Sequence, residues 1–307
     1  MLSIEEVLNS ASPLLASWDE TTNIPQYRAM TQAAKEAAPR IDPVTRPPIS
    51  KKTFTSPCEA TAPLPPASTS LDKTRPRAGR ASSSSTGEGM PFGDLDTETW
   101  LCALFVRLGG VAVDVDYRLA PGHVFPAAVD DVFDATRWTA QNLESLGIDA
   151  DKGFLVGGES SGGPPLTGVY AAIPGGVNHK TVPDKYRDRF ISLEQNADAP
   201  VMSAAAVAFI WSKTVSTEMH MLSSPNPFER WVYADFSRHA FSRGLPKTYF
   251  QICGLDPVRD CGLVMEQGWM SYPGLPHAFW GIVSGALGGG GRQRRDAREG
   301  FEWLLRR

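Results

Sequence analysis

The 307-residue sequence lacks the features that would assign it to several common protein classes. It has no apolar run near the roughly 20 residues that a membrane-spanning helix needs. Its formal net charge is -4, so it has no excess of basic residues for nucleic-acid binding. Residues 1–9 lack the basic and apolar regions of a signal peptide. We therefore expect a cytoplasmic protein with no membrane span and no nucleic-acid partner.

Cysteine and histidine, frequent ligands of structural metals, are scarce in this chain. The four cysteines show no C-x-x-C pair and no His/Cys spacing typical of zinc sites. We expect them to be small apolar or partly buried residues in a reducing compartment, and we expect no metal site. The cysteines are Cys58, Cys102, Cys253 and Cys261, and the histidines are His123, His179, His220, His239 and His277.

Overall composition is ordinary for a globular protein, at 42% hydrophobic and 21% charged residues, but its distribution is uneven. Residues 1–42 favour helices. Residues 43–89 are rich in proline, serine and threonine, and residues 82–85 are four consecutive serines. Such a segment buries too little apolar surface to offset its ordering entropy, so we expect it to be irregular. Residues 90–307 return to an ordered pattern.

Strand and helix patterns alternate within residues 90–307. This order argues for an α/β fold with a mostly parallel sheet and helices on both faces. A helix of ordinary amphipathic pattern, with a solvated basic face, closes the chain. The predicted strands are residues 111–115, 153–156, 166–173 and 248–253, and the predicted helices begin at Asp96, Pro126, Ala204 and near Arg292.

Residues 157–163 (Gly-Gly-Glu-Ser-Ser-Gly-Gly) directly follow the apolar strand 153–156. A G-x-S-x-G pentapeptide at the end of a buried strand is typical of a nucleophile elbow, a turn so tight that only glycine fits on either side of the serine. Such a turn lifts the Ser160 hydroxyl clear of the sheet. The pentapeptide is a weak signal by itself, so its interpretation depends on the rest of the chain.

A nucleophilic serine needs a general base within hydrogen-bond reach and a carboxylate that orients the base. After a nucleophile elbow the chain order is serine, then Asp or Glu, then histidine, each in a loop that follows a strand. His277 is the one histidine beyond the last convincing strand. Asp256 follows the predicted strand 248–253, and Asp260 is a competing acid. We favour Asp256 because it lies directly after the strand.

Five sequence patterns together resemble the hormone-sensitive-lipase-like family of α/β-hydrolases, a group of carboxylesterases and small lipases. They occur in the family's order between residues 93 and 281. Residues 166–168 and 192–196 (Ser-Leu-Glu-Gln-Asn) resemble the fungal branch. The five are residues 93–97 (Gly-Asp-Leu-Asp-Thr), 116–128 (Asp-Tyr-Arg-Leu-Ala-Pro through Phe-Pro-Ala-Ala), 158–163 (Gly-Glu-Ser-Ser-Gly-Gly), 256–260 (Asp-Pro-Val-Arg-Asp) and 274–279 (Gly-Leu-Pro-His-Ala-Phe).

The resemblance implies an α/β-hydrolase fold, with a mostly parallel sheet, helices on both faces and a small helical cap. Residues 90–307 would form the hydrolase domain, with a cap insertion within about residues 180–245. Residues 1–42 would supply further cap helices. Residues 116–128 are expected to brace the turn after their strand and to have no catalytic role.

The activity that the resemblance implies is hydrolysis of a small-molecule carboxylic ester through an acyl-enzyme, without cofactor or metal. Ser160 would be the nucleophile, His277 the general base and then acid, and Asp256 the carboxylate that holds the imidazole. The fungal likeness suggests secondary metabolism or detoxification as a setting.

The oxyanion loop departs from the family pattern. The family carries His-Gly-Gly-Gly just before residues 93–97, and here residues 86–89 are Thr-Gly-Glu-Gly. The resemblance implies an oxyanion hole built from the backbone N–H groups of Glu88, Gly89 and Ser161. A glutamate beside a developing negative charge opposes its stabilisation, and loss of one such donor costs about 2.7–4 kcal/mol of barrier.

Three structural elements also look lost. Residues 80–85 do not resemble the buried strand that should precede the oxyanion loop. The chain after Gly163 reaches the next strand without room for a crossover helix. Residues 260–272 hardly accommodate a helix and a strand, which would keep His277 away from Ser160.

These departures leave alternatives to an active esterase. One is a catalytically impaired homologue that binds a small molecule. Another is a mispredicted gene product, because the serine- and arginine-rich residues 75–88 resemble an out-of-frame translation. In that case residues 57–88 would not belong to the natural protein. A third is a chain that does not fold stably.

Overall fold

The structure is a computed structural model of the 307-residue chain. The residues that it describes are 21–37, 50–55, 66–71, 81–85, 99–125, 127–159, 167–175, 182, 184–214, 247–263, 268–279 and 289–306.

Eight strands in these ranges form one sheet. They are β1 (Ser50–Thr55), β2 (Pro66–Leu71), β3 (Ala81–Ser85), β4 (Val111–Val115), β5 (Phe154–Glu159), β6 (Gly168–Ala172), β7 (Lys247–Leu255) and β8 (Gly268–Pro276). Their order across the sheet is β1-β2-β4-β3-β5-β6-β7-β8. β2 runs antiparallel to both of its neighbours, and every other pairing is parallel.

Helices connect and cover the strands. They are α1 (Ile24–Ala37), α2 (Thr99–Arg107), α3 (Ala127–Gln141), α4 (Asp184–Arg187), α5 (Ser192–Gln195), α6 (Ala204–Thr214), α7 (Arg259–Leu263) and α8 (Gly289–Leu304). A 3-10 turn, Ala150–Lys152, precedes β5.

One face of the sheet packs against α2 and α8. Phe105 of α2 and Phe301 of α8 meet edge to face, with ring centroids 5.3 Å apart. Leu155 of β5 and Tyr170 of β6 lie in the same buried cluster. Such a cluster is the main source of hydrophobic stabilisation, because it removes large apolar side chains from water.

The opposite face packs against α3 and α7. Val115 of β4 contacts the α3 cluster that includes Val132, and Phe250 of β7 lies with Leu263 of α7. All five residues of β4 are buried. Because both faces are covered, β4 is almost continuously apolar in sequence and does not alternate.

The predicted mostly parallel sheet with helices on both faces is therefore confirmed. The predicted strands near residues 111–115, 153–156, 166–173 and 248–253 correspond to β4, β5, β6 and β7. The amphipathic C-terminal helix is α8, whose Ala297 and Phe301 are fully buried.

The prediction of an irregular segment at residues 43–89 is wrong for three stretches. Residues 50–55, 66–71 and 81–85 are β1, β2 and β3 of the sheet. The strand that residues 80–85 appeared to lack is thus present as β3, which pairs in parallel with β4 and β5. Backbone pairing explains the error: without β3, the facing N–H and C=O groups of two buried strands would have no partners.

The prediction that residues 260–272 cannot hold both a helix and a strand is also wrong. α7 begins at Arg259 and occupies only five residues, and β8 begins at Gly268 beside β7. A one-turn helix needs far less chain than the longer helix that the family pattern suggested.

The structure describes both ends of the short connection that contains Ser160, the predicted nucleophile. β5 ends at Glu159 and β6 begins at Gly168, so eight residues join two parallel neighbours. Residues 160–166 lie outside the described residues, and the expected loss of a helix there stays a prediction.

The structure bears on the predicted cap and on the expected absence of a membrane span. Ile24 of α1 packs against Phe209 of α6, so the N-terminal helix contacts the region expected to contribute the cap insertion. The cap boundaries themselves stay a prediction. None of the helices in the described ranges has the length and apolarity needed to cross a bilayer.

Candidate active site

Asp256 and His277 lie at the same edge of the sheet, each directly after a strand. Asp256 follows Leu255, the last residue of β7, and His277 follows Pro276, the last residue of β8. Since β7 and β8 are parallel neighbours, their carboxyl ends meet. His277 Nδ1 lies 2.7 Å from Asp256 Oδ2, a distance expected of a charge-assisted hydrogen bond.

The burial and chemistry of this pair determine which atom donates the hydrogen bond. Asp256 is 1% exposed and the His277 side chain 17% exposed. An ionised carboxylate only accepts hydrogen bonds, so His277 Nδ1 carries the proton and donates. In that tautomer the basic lone pair of the ring is on His277 Nε2. The arrangement can therefore orient a general base.

The second carboxylate oxygen of Asp256 is also engaged. The backbone N–H of Val258 donates to Oδ1 at 2.9 Å. Each oxygen of Asp256 thus has its own donor, one from the side chain of His277 and one from the following turn. The carboxylate cannot rotate without losing both bonds.

The competing acid, Asp260, has a different role in the structure. Its Oδ2 accepts from the backbone N–H groups of Ile191 and Ser192 at 2.8 and 2.7 Å. Its Oδ1 accepts from Arg259 Nε at 2.8 Å. The pair that the structure brings together is therefore Asp256 and His277.

A bulge in β8 directs the end of that strand. Tyr272 pairs with Cys253 and Pro276 with Leu255, so three residues of β8 oppose Gly254 alone. Gly274 within the bulge has φ +71°, which favours glycine. A Cβ on Gly254 would lie 2.9 Å from Gly274 N, so the close approach needs glycine on β7 too. The bulge belongs to the Gly-Leu-Pro-His pattern singled out in the sequence.

Ser160, Ser161, Glu88 and Gly89 lie outside the described residues. The strands that precede them in the chain are described, and both end at this edge. β5 ends at Glu159, and Ser85 at the end of β3 pairs with Gly158. The register places Glu159 level with Gln251 of β7, two strands away and four residues before the end of β7. Two strand spacings and four residues of strand put the end of β5 roughly 16 Å from the end of β7. The strand that precedes Ser160 in the chain therefore ends on the same side of the sheet as the Asp256–His277 pair.

A family model described as the alpha/beta hydrolase fold matches residues 87–280, well over half of the chain. The chain belongs to the α/β-hydrolase family. The match begins within the predicted oxyanion loop and ends just beyond His277. It also covers β4 to β8, the strands that carry the pair and lead to Ser160.

Curated relatives support the hormone-sensitive-lipase-like family and its fungal branch. An AB hydrolase superfamily protein of Schizosaccharomyces pombe is 30% identical over 235 residues, 68% of this chain and 66% of that protein. The versiconal hemiacetal acetate esterase of Dothistroma septosporum is 31% identical over 221 residues, 63% of this chain and 64% of that protein. The chain thus spans just under two thirds of the length of these relatives.

Solved structures of this hydrolase fold superpose over nearly the whole chain. A bacterial heroin esterase has a TM-score of 0.77 at 22% identity, with 98% of each chain covered. At this level of identity the likeness concerns the fold alone.

The turn after β4 is braced, as the sequence predicted for residues 116–128. The guanidinium of Arg118 pairs with the fully buried carboxylate of Asp131 at 2.8 Å, and Arg118 N donates to the same carboxylate. Arg28 of α1 donates to the carbonyl of Ala120 at 2.7 Å. Burial lowers the pKa of Arg28. The brace joins the N-terminal helix to the turn after β4.

A buried polar network holds the strands that end at the site. Gln251 of β7 accepts from Tyr170 of β6 at 2.6 Å and donates to the hydroxyl of Tyr272 of β8 at 2.9 Å. It also contacts Gln293 of α8 at 3.0 Å. Burial raises the pKa of the Tyr272 hydroxyl far above its usual range. The negative charge of Asp296 and a hydrogen bond to that residue raise it further. No sequence pattern predicts this network, because its members are far apart along the chain.

Proposed function

We propose that this chain is a serine carboxylesterase that hydrolyses small carboxylic esters through an acyl-enzyme. The observation that carries the proposal is the buried Asp256–His277 pair, at the sheet edge where the strand before Ser160 ends. The relatives named as esterases support an ester as the substrate class.

The chemistry begins with a proton transfer. Asp256 holds His277 with Nδ1 protonated. Nε2 is then the basic nitrogen, and it accepts the Ser160 proton as the hydroxyl attacks the ester carbonyl. The imidazolium formed is stabilised by the Asp256 carboxylate and then protonates the leaving alcohol. Water repeats the sequence on the acyl-enzyme: His277 takes a proton from water, hydroxide attacks the acyl carbon, and Ser160 leaves with the proton.

The tetrahedral oxyanion needs preorganised donors. We assign these to the backbone N–H groups of Glu88, Gly89 and Ser161. Support comes from β3 and β5, because Ser85 pairs with Gly158, so the strands that precede the two loops end side by side. Glu88 is three residues beyond the end of β3, and its charge would weaken the hole relative to a glycine.

The test is hydrolysis of p-nitrophenyl acetate and butyrate by the purified chain, with Ser160→Ala as the matched variant. Turnover well above that of the variant supports the esterase. Turnover equal to that of the variant, from protein with a cooperative thermal transition, contradicts it.

A second candidate function is small-molecule binding without hydrolysis. The observation that favours it is the connection of only eight residues between parallel β5 and β6, where about a dozen are usual. This connection contains Ser160. A folded chain that binds p-nitrophenyl butyrate in calorimetry without turning it over would support this candidate.

A further inference from the structure

A short segment from the expected cap region is bonded to the loop that carries Asp256. Asn196 Nδ2 donates to the carbonyl of Asp256 at 2.9 Å and to that of Gly254 at 3.3 Å. Ser192 Oγ donates to the carbonyl of Pro257 at 2.8 Å. Three carbonyls of residues 254–257, at the end of β7 and in the turn after it, are therefore held by the side chains of Ser192 in α5 and Asn196 just after it.

Side chains that follow Asp256 in the chain also contact this segment. Asp260, 2% exposed, accepts from the N–H groups of Ile191 and Ser192, as described above. Arg259 Nη2 donates to Gln195 Oε1 at 2.8 Å. A buried carboxylate loses several kcal/mol of hydration unless donors replace the water, so Asp260 holds this segment in one register.

Val258 links the segment to the carboxylate itself. Its side chain packs against two buried clusters, one that includes Met202 and Val207 and one formed by Val182 and Cys261. Its N–H donates to Asp256 Oδ1. Displacement of the loop would therefore move the donor that fixes one oxygen of Asp256, and with it the oxygen that faces His277.

We infer that Asn196, assisted by Ser192, is a positioning residue for the Asp256–His277 pair. It holds the main chain on both sides of the Asp256 side chain, and it acts on the reaction only through Asp256. This inference rests on the proposed function, because it gives the Ser-Leu-Glu-Gln-Asn segment a role in the proposed triad. The segment would couple the cap region to the geometry of the general base.

The first experiment reads the His277 tautomer, independently of turnover. In ¹⁵N-histidine protein, long-range ¹⁵N–¹H spectra at a pH where imidazole is neutral distinguish protonation at Nδ1 from protonation at Nε2. Wild type is expected to show the Nδ1–H tautomer. Asn196→Ala is expected to shift His277 toward a mixture. The matched control is Asn142→Ala, since Asn142 Nδ2 also donates to a main-chain carbonyl, that of Trp138 at 2.7 Å, but far from the site.

The second experiment is kinetic. Asn196→Ala is expected to lower kcat about 10- to 100-fold with little change in KM, as for small misplacements of catalytic groups. In an Asp256→Asn background the same change is expected to have less than about a twofold effect, because the group it positions is gone. Asn142→Ala should leave kcat unchanged in both backgrounds.

The outcomes separate the two proposals. An unchanged tautomer and unchanged kcat in folded Asn196→Ala overturn the positioning role, as does an equal loss of kcat in both backgrounds. Absence of turnover in wild type contradicts the esterase, while the tautomer shift still tests the positioning role. If Asn196→Ala does not fold, Ser192→Ala removes only the Ser192 Oγ bonds, and the same shift and the same non-additivity are expected.

Discussion

Asp256→Asn tests which acid orients the general base. In the structure, the Val258 N–H points at Oδ1 and His277 Nδ1 at Oδ2. An asparagine has one acceptor, and the Val258 N–H takes it. The amide NH₂ then faces His277 Nδ1, which must accept, so the proton moves to Nε2. A protonated Nε2 cannot take the Ser160 proton.

The expected loss in kcat is about 10⁴-fold, the size found when a triad carboxylate is replaced and the imidazole is held in the wrong tautomer. At 1.36 kcal/mol per factor of ten, this corresponds to about 5.4 kcal/mol of barrier. The assay is p-nitrophenyl butyrate hydrolysis under saturating substrate, with thermal unfolding of the same samples as a check on folding.

Asp260→Asn is the matched control. Both of its oxygens accept from donors, so an asparagine in either orientation places NH₂ against a donor. The expected result is destabilisation by about 1–3 kcal/mol, with kcat reduced by less than about 100-fold. The reasoning is refuted if folded Asp256→Asn keeps kcat within tenfold of wild type, or if Asp260→Asn loses more activity than Asp256→Asn.

Three further predictions concern packing and ionisation. Gly300→Ala should destabilise the protein by about 1–3 kcal/mol in urea unfolding, because its Cβ would clash with the Tyr249 ring. Gly291→Ala in the same helix would meet only Arg295 Nη1 at an ordinary contact distance of 3.8 Å, and it should stabilise by at most about 1 kcal/mol. Equal effects of the two substitutions would contradict the packing. Burial, then the charges of Asp296 and Glu299, raises the pKa of Tyr249 to about 12, so the folded state holds this proton more tightly than the unfolded state does. Its stabilisation is complete below about pH 10 and is lost as pH rises toward about 12, and Tyr249→Phe should flatten that alkaline decline in thermal midpoint; an unchanged slope would count against it. Gly254→Ala should lower kcat because its Cβ would push the β8 bulge and His277 away, and wild-type kcat in this variant would show that the bulge does not set the geometry.

Elements with apolar burial patterns were predictable from the sequence. β4 is buried on both faces and is nearly continuous in apolar residues, and α8 carries Ala297 and Phe301 at helical spacing. β3 has no such pattern, since Ala81–Ser85 is one alanine and four serines. Its place is set by backbone pairing with two neighbours, which no local pattern records.

In the candidate site, too, some residues were predictable from the sequence and others were not. Chain order and the strand before it pointed to Asp256, and the structure separates it from Asp260 by their different partners. Asn196 could not be assigned in this way, because it contacts main-chain atoms about 60 residues away. Hydrogen bonds to a backbone carbonyl leave no requirement on the partner's side chain, so the sequence carries no matching signal.

The central claim is that Ser160 is a nucleophile activated by His277 and Asp256. Its most direct test is labelling of the purified chain with diethyl p-nitrophenyl phosphate, followed by intact mass and peptide mapping. The account predicts one diethylphosphoryl group per chain on Ser160, formed much more slowly in His277→Ala. Folded protein that stays unlabelled, or is labelled on another residue, would contradict it.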